Sequence, residues 1–294
     1  MPRVEPTLVR GIAVDAWKDI WRRPLMWLIL SASFLPMVFL INFLIPGFVI
    51  LGSPTAFYLI LFFVGYSICF AFYFLFWCMA VYLYNGQVRG KGGFSYRSAF
   101  SRMEGWAWPS FIAGLVCGLI AVLAFEIAQL VTNLVLSFLA AGQTSTGSQF
   151  ALSLVGYYLT YLAADLIIVF IALVPQMLAL EKGRKVEEVL RASYRVVKER
   201  YRDALLLFIV PEIVIRTIFI GALFIIAKAP GGGLIFTLLL LCMTVLEAGR
   251  IAFVAAAFNR FYYHVLEEEK KKRKAKTKKQ PAKKQPAKKQ TKKR

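Results

Sequence analysis

Histidine is almost absent from this sequence, and so are the patterns that most enzyme and metal sites require. The single histidine, His264, excludes metal sites built from several imidazoles. The four cysteines, Cys69, Cys78, Cys117 and Cys242, all lie in apolar stretches, without the close pairing of a zinc site or a disulfide framework. No phosphate-binding glycine-rich loop and no recognisable acid/base pair occur either. We therefore expect no catalytic residue, no metal site and no cofactor, and a protein that is not an enzyme.

Charge is missing from long stretches of the chain. No charged residue occurs from Pro24 to Val88, and the segment from Gly105 to Leu180 contains only Glu126 and Asp165. Hydrophobic residues make up 59% of the 294 positions and the mean hydropathy is +0.63, whereas soluble domains contain roughly 45 to 50% apolar residues. Uncharged runs of this length are typical of segments that cross a bilayer. The composition therefore predicts an integral membrane protein.

Six transmembrane helices are predicted, because about 20 apolar residues span the hydrocarbon core and a helix satisfies its own backbone hydrogen bonds there. The predicted spans are residues 25–45, 56–84, 106–140, 150–180, 204–229 and 234–263. Pro36 predicts a kink in the first span. The expected fold is an all-α bundle over residues 25–264, preceded by an amphipathic segment at 1–24 and followed by a disordered lysine-rich tail at 265–294.

The distribution of lysine and arginine predicts the orientation of these spans. Basic residues are concentrated before the first span, between the second and third, and between the fourth and fifth. The three alternate loops, near Gly52, Ser145 and Gly232, contain no basic residue. Because short cytoplasmic loops are enriched in lysine and arginine, we expect a multi-pass protein of the cell membrane with both termini in the cytoplasm.

Each predicted cytoplasmic segment contains a stretch with helical periodicity of apolar residues. Residues 8–21 and 186–201 place apolar side chains on one face and most charges on the other, and residues 96–103 form a shorter example. This pattern is typical of helices that lie in the membrane interface.

Five charged residues fall deep inside the predicted spans, and they are the main candidates for a functional site. Glu212 and Arg216 are spaced i,i+4, and Glu247 and Arg250 are spaced i,i+3, so each pair can be neutralised within its own helix. Asp165 has no basic residue at such a spacing, so its partner is expected on another helix, with Arg216 or Arg250 at a suitable depth. The cluster has two interpretations: ion pairs that hold helices together, or a polar cavity open to the cytoplasm.

The third span carries two further patterns. Glu126, Gln129 and Asn133 form a polar stripe that is expected near the outer membrane boundary. Gly114 and Gly118 form a GxxxG motif, which is typical of a face where another helix packs closely.

The C-terminal tail is strongly basic. Fifteen of the 36 lysine and arginine residues occur from Lys270 onward, and the tail has no aromatic residue that could stack on bases. We expect it to bind by charge alone, either to anionic lipid headgroups or to RNA or the ribosome. The candidate binding residues are Lys270, Lys271, Lys272, Arg273, Lys274, Lys278, Lys279, Lys283, Lys284, Lys288, Lys289, Lys292, Lys293 and Arg294.

After the fourth span the sequence reads VPQMLALEKGRKVEEVLRASYRVVKERYRDALLLFIV. Pro175, Glu181, Gly183, Leu190 and Ser193 resemble a family of prokaryotic six-span proteins that includes the membrane domain fused to some bacterial glycerophosphodiester phosphodiesterases. Members of that family often have alanine before the leucine, where this chain has valine. The resemblance implies a six-span layout, and it implies no catalytic activity because the phosphodiesterase domain is absent.

Three functions are consistent with these patterns. The first is a non-enzymatic membrane component with an intramembrane polar cluster. The second is a transporter or channel for a small polar or ionic solute, which requires the clustered charges to line a hydrated cavity. The third is a ribosome-associated membrane insertion factor, in which the tail holds the ribosome.

Overall fold

The structure is a computed structural model that describes residues 6–40, 60–88, 96–101, 106–140, 146–181, 183–226 and 232–279. These residues form helices and short connections, with no strand among them, so the all-α prediction is confirmed for this part of the chain. The α-helices are α1 (Pro6–Arg22), α2 (Pro24–Ala32), α3 (Leu35–Phe39), α4 (Tyr66–Val88), α5 (Tyr96–Ser101), α6 (Ala107–Ala140), α7 (Thr146–Ile168), α8 (Val174–Leu180), α9 (Val186–Glu199), α10 (Tyr201–Ile226) and α11 (Gly232–Lys279).

Three helical segments are long and apolar enough to cross a membrane: Phe62–Gly86, Ala107–Phe138 and Tyr158–Leu180. The outer face of α6 shows why a lipid environment is favourable for these segments. Leu130 and Phe138 on this face are 71% and 74% exposed, and an apolar stripe of this length on a helix is energetically favourable in hydrocarbon rather than in water. The chain therefore has the features of a helical membrane protein.

The first predicted span is interrupted close to the proline that predicted a kink. Helix α2 ends at Ala32, and α3 begins at Leu35 with Pro36 in its first turn. Proline has no backbone N–H and its ring clashes with the carbonyl four residues earlier, so a continuous helix is disfavoured here. Residues 41–45 of the predicted span lie outside the described residues.

The fourth predicted span contains a break in its regular α-helix. Between α7 and α8 the backbone tightens into a turn of 3₁₀-helix over Val169–Ile171, and Pro175 lies at the start of α8. Ser193 on α9 is fully buried, and its Oγ atom donates a hydrogen bond of 2.7 Å to the Phe170 carbonyl in this break. Apolar content predicted the span. The break in its helix is explained by the proline and by the hydrogen bond from Ser193.

The last helix extends beyond the predicted end of the sixth span. Helix α11 continues to Lys279, so residues 265–279, which were predicted to be disordered, are helical. The sequence of Glu267 to Glu269 followed by Lys270 to Lys272 supports this extension, because Glu and Lys spaced i,i+3 and i,i+4 stabilise a helix. Residues 280–294 of the predicted tail lie outside the described residues.

The long helices pack as a closed ring. Helix α6 lies between α4 and α7, α10 lies between α7 and α11, and α2 contacts both α11 and α4. Helix α8 packs against α4. The packing brings α7, α10 and α11, the three helices that carry the five charges singled out by the sequence, side by side.

The GxxxG prediction is confirmed at the contact of α6 with α4. A β-carbon added at Gly114 would lie 2.7 Å from the Ala71 Cα atom, and one added at Gly118 would lie 3.0 Å from the Ser67 Cα atom. Only glycine lets the two backbones approach this closely.

Helices α1 and α9 each bury one face. In α1, Ile12 and Ala16 are buried, while Trp17 and Trp21 are exposed and their rings are in edge-to-face contact. Helix α9 buries Val189, Ser193 and Val197. Their location in the membrane interface stays a prediction.

Candidate functional site

The five charged residues that the sequence singled out within its predicted spans come together in the structure. Asp165 lies one turn before the end of α7, Glu212 and Arg216 lie on α10, and Glu247 and Arg250 lie on α11. Glu212 is 1% exposed, and the side chains of Arg216, Glu247 and Arg250 are 12%, 16% and 12% exposed. We call these five residues the charge cluster.

Both ion pairs within helices form as the spacing predicted. The Arg216 Nε atom donates to Glu212 Oε1 at 2.6 Å. Arg250 binds Glu247 through two hydrogen bonds, Nη2 to Oε1 at 2.6 Å and Nε to Oε2 at 3.1 Å. Bidentate pairing of this kind holds a guanidinium and a carboxylate in one plane and is among the stronger forms of hydrogen bond.

The structure adds two ion pairs between α10 and α11 that helical spacing could not predict. Arg250 Nη1 lies 2.8 Å from Glu212 Oε2, as an ion pair rather than an aligned hydrogen bond. Arg216 Nη2 lies 3.8 Å from Glu247 Oε1. Each carboxylate therefore contacts both guanidiniums, and the four groups form a closed ring across the two helices.

Aromatic rings surround this ring of charges. The guanidinium carbon of Arg216 lies 3.8 Å from the centre of the Tyr161 ring, an arrangement that favours a cation–π interaction. On α4, Tyr73 is buried and Tyr66 is half-buried, and both lie within electrostatic range of Arg250 and Glu247. The ring of Tyr161 thus offers a polarisable face to one cation of the cluster.

Asp165 differs from the other four members. It is 6% exposed, and its Oδ2 atom is buried without a hydrogen-bond partner in the described part of the chain. The sequence predicted a partner on another helix, Arg216 or Arg250, but neither forms an ion pair with it among the described residues. Both arginines are held by Glu212 and Glu247 instead.

The polar stripe of the third span is separate from the charge cluster, because it lies on α6. Glu126 is half-buried, and Gln129 and Asn133 are exposed. Its predicted position at the outer membrane boundary remains a prediction.

A second polar site, which sequence reasoning missed, fastens α1 to the bundle. The Asp19 carboxylate accepts hydrogen bonds from Arg260 Nε at 2.6 Å and from Arg260 Nη2 at 2.7 Å, and Tyr84 donates a third at 3.0 Å. Trp27 Nε1 donates to the Asp19 carbonyl at 3.3 Å. The periodicity of α1 placed Asp19 on the charged face, away from the apolar one, yet Asp19 is only 8% exposed.

No signal in the sequence links these residues, because Asp19, Tyr84 and Arg260 come from three distant segments. The reason for the incorrect placement of Asp19 is that a paired carboxylate is tolerated in a helix contact. The bidentate geometry indicates that the site positions α1 on α11.

Part of the segment that carries the family resemblance has an identifiable structural role. Glu181 accepts a hydrogen bond from the Tyr262 hydroxyl at 2.5 Å and pairs with Arg184 at 2.7 Å. Gly183 has a φ of 84°, a left-handed conformation that side chains other than glycine rarely adopt. These residues shape the connection between α8 and α9.

The C-terminal half of α11 carries another ion-pair group. Glu268 pairs with Arg200, and His264 Nε2 lies 2.8 Å from Glu268 Oε1. Burial works to raise the pKa of Glu268, but the hydrogen bond and charge of Arg200, together with His264, lower it. Glu268 is therefore ionised at neutral pH and links α11 to the connection between α9 and α10.

The cysteines and carboxylates do not form a metal site within the described residues, where no group of three or more potential ligands comes together. Comparison with known proteins gives no further indication of function: no family model, no curated protein and no solved structure matches this chain.

Proposed function

We propose that this chain is a six-span membrane protein with both termini in the cytoplasm, and that it acts as a non-enzymatic membrane component. The three spans identified by length and composition support this proposal. The broken pair α2–α3, helix α10 and the N-terminal half of α11 supply the other three spans. The basic residues of alternate loops support the orientation.

In this proposal the charge cluster fastens the fifth and sixth spans to each other. The observation that carries it is that each carboxylate of Glu212 and Glu247 contacts both Arg216 and Arg250. Charges arranged to bind a passing solute need free hydrogen-bonding capacity and water, whereas these four charges neutralise one another in ion pairs. Paired charges of this kind link helices where no hydrophobic force draws them together.

Cysteine labelling tests whether the cluster is sealed. The Ser31 Oγ atom is buried and donates to the Ala248 carbonyl at 2.8 Å, between the two charged residues of α11, so Ser31→Cys places a thiol beside the cluster with little change in shape. Only a thiolate in contact with water reacts readily. We expect this cysteine to react with a membrane-impermeant maleimide, in inside-out vesicles, at least roughly tenfold more slowly than a cysteine at the exposed position Arg191.

The labelling is carried out in a chain in which alanine replaces the half-buried Cys69 and the exposed Cys242. Cys78 and Cys117 are retained because they are buried. Ser110→Cys, at a fully buried position, gives the rate for a thiol sealed from water. Equal rates at positions 31 and 191 would contradict the sealed cluster and favour the transporter or channel.

The basic tail supports a second element of the proposal, attachment to an anionic surface. Each basic residue near a membrane of anionic lipid contributes about 1 kcal/mol of attraction. We expect the full-length protein in zwitterionic nanodiscs to bind phosphatidylserine vesicles, and a version ending at Glu269 to lose that binding. Binding should weaken steeply with added salt.

The full-length protein and the version ending at Glu269 also distinguish this proposal from a function as a ribosome-associated insertion factor. Co-sedimentation of ribosomes with the full-length protein at physiological salt, together with no binding to anionic vesicles, would favour the ribosome as the partner of the tail.

A further inference from the structure

Asp165 is the one member of the charge cluster that forms no ion pair within the described residues. Its side chain is 6% exposed, and its Oδ2 atom is buried and accepts no hydrogen bond within the described residues. A carboxylate that is buried without partners is strongly disfavoured relative to its neutral form. An additional positive species is therefore needed at this oxygen, or the group must be neutral.

The charges of the cluster lead to the same conclusion. Three carboxylates, Asp165, Glu212 and Glu247, face two guanidiniums, Arg216 and Arg250, so the formal charge of the fully ionised cluster is −1. Asp165 lies within electrostatic range of the other four. Glu212 and Glu247 are each held by both arginines, so the excess negative charge falls on Asp165.

Groups on α4, α10 and α11, and one on α7 itself, lie near Asp165 and bear on which cation fits there. Glu212 and Arg216 face it from α10, and Glu247 and Arg250 face it from α11. The Tyr66 hydroxyl from α4 lies within its electrostatic range. Tyr161 precedes it by one turn on α7, with its ring against Arg216.

A proton fits this setting better than a metal ion. A metal cation needs several oxygen ligands at once, and no group of three or more potential ligands comes together in the described part of the chain. Two guanidiniums nearby would also repel it. A proton needs only the one oxygen atom that lacks a partner.

We propose that Asp165 is a proton-binding site, which carries a proton at neutral pH and so brings the charge cluster to zero net charge. The proton converts the carboxylate to a carboxylic acid, and its release returns the cluster to −1. The site lies one turn before the 3₁₀ break at Val169–Ile171, so a change in its charge acts on the part of the fourth span where regular helix ends. This inference goes beyond the role of the charge cluster in fastening two spans, because it concerns the one carboxylate that is not part of the ring of ion pairs.

Infrared spectroscopy of protein with ¹³C-labelled aspartate carboxyl groups tests the proposal. The chain has four aspartates, Asp15, Asp19, Asp165 and Asp203, so the labelled signals are few. We expect the wild-type protein in nanodiscs at neutral pH to show the C=O band of a protonated aspartate. The band should be lost in Asp165→Asn, which replaces the acid by a neutral group of the same shape.

Asp203 provides the matched control, because it is also buried. Burial raises the pKa of Asp203, although Arg200, Arg202 and His264 work to lower it, so this residue must be excluded as the source of the band. We expect Asp203→Asn to retain the band. In that variant the remaining aspartates besides Asp165 both form ion pairs with Arg260.

The Asp203→Asn variant therefore assigns the band even if Asp165→Asn fails to fold. Absence of a protonated-aspartate band from the wild-type protein at neutral pH would overturn the proposal, and so would its loss in Asp203→Asn or its persistence in a folded Asp165→Asn. These outcomes are independent of the labelling rate at position 31, which tests the sealed cluster and not the protonation of Asp165.

Discussion

Replacement of Arg250 by methionine is expected to lower the free energy of unfolding by about 3 to 5 kcal/mol, because it leaves buried carboxylates without their principal partner. Arg250 contacts both Glu247 and Glu212, and Glu212 is 1% exposed. The loss also takes the formal charge of the fully ionised cluster from −1 to −2. Equilibrium unfolding of the purified protein in mixed micelles measures the effect.

Two further variants distinguish loss of pairing from loss of packing. In Arg250→Met combined with Glu247→Gln the formal charge returns to −1 and Glu212 keeps Arg216, so we expect part of the lost stability to return. Arg191→Met removes an ion pair whose side chains are 77% and 72% exposed, and it should change stability by less than about 0.5 kcal/mol. If the double variant were no more stable than Arg250→Met alone, the charge of Glu247 would not be the cause of the lost stability.

Replacement of Gly114 by alanine is expected to lower the free energy of unfolding by about 2 to 3 kcal/mol, because an overpacked contact must open. The new β-carbon would lie 2.7 Å from the Ala71 Cα atom and 2.9 Å from the Phe74 Cβ atom. The first of these is a backbone atom, so α6 and α4 have to move apart. The same unfolding measurement in mixed micelles tests it.

The same chemical change at Gly221 should not destabilise the protein. Gly221 lies in α10, and an added β-carbon there has nothing within 4 Å. Alanine is favoured over glycine in a helix by about 0.8 to 1.0 kcal/mol, so Gly221→Ala should be neutral or stabilising. If both variants changed stability alike, the close approach of α4 and α6 would not be the reason for the glycine at 114.

The sequence predicted those parts of the fold that depend on solvent and on local spacing. The absence of charge over long runs indicated helices in hydrocarbon, and Pro36 marked the break between α2 and α3. Gly114 and Gly118 marked the close contact of two helices. In the charge cluster, the pairs Glu212–Arg216 and Glu247–Arg250 followed from i,i+4 and i,i+3 spacing, because such residues are neighbours on one helix.

The predictions from the sequence were wrong where a local pattern competed with a contact from a distant segment, or where a local pattern was given too little weight. Asp19 was placed on the charged face of α1, but Arg260 and Tyr84 approach from other helices and hold it in a buried position. Apolar content predicted the fourth span but gave no sign of its break, which Pro175 and Ser193 determine. Residues 265–279 were predicted to be disordered on composition, yet their glutamates and lysines extend α11.

The sequence by itself determined the apolar helices that are long enough to cross a membrane and the charges that lie among apolar residues, because the transfer of a residue between water and hydrocarbon depends mainly on its own chemistry. Only the tertiary structure decided how those charges are shared. The packing of α7, α10 and α11 joins two local pairs into one ring and leaves Asp165 outside it. Which charge remains without a partner depends on distances between helices, and no spacing along the chain encodes them.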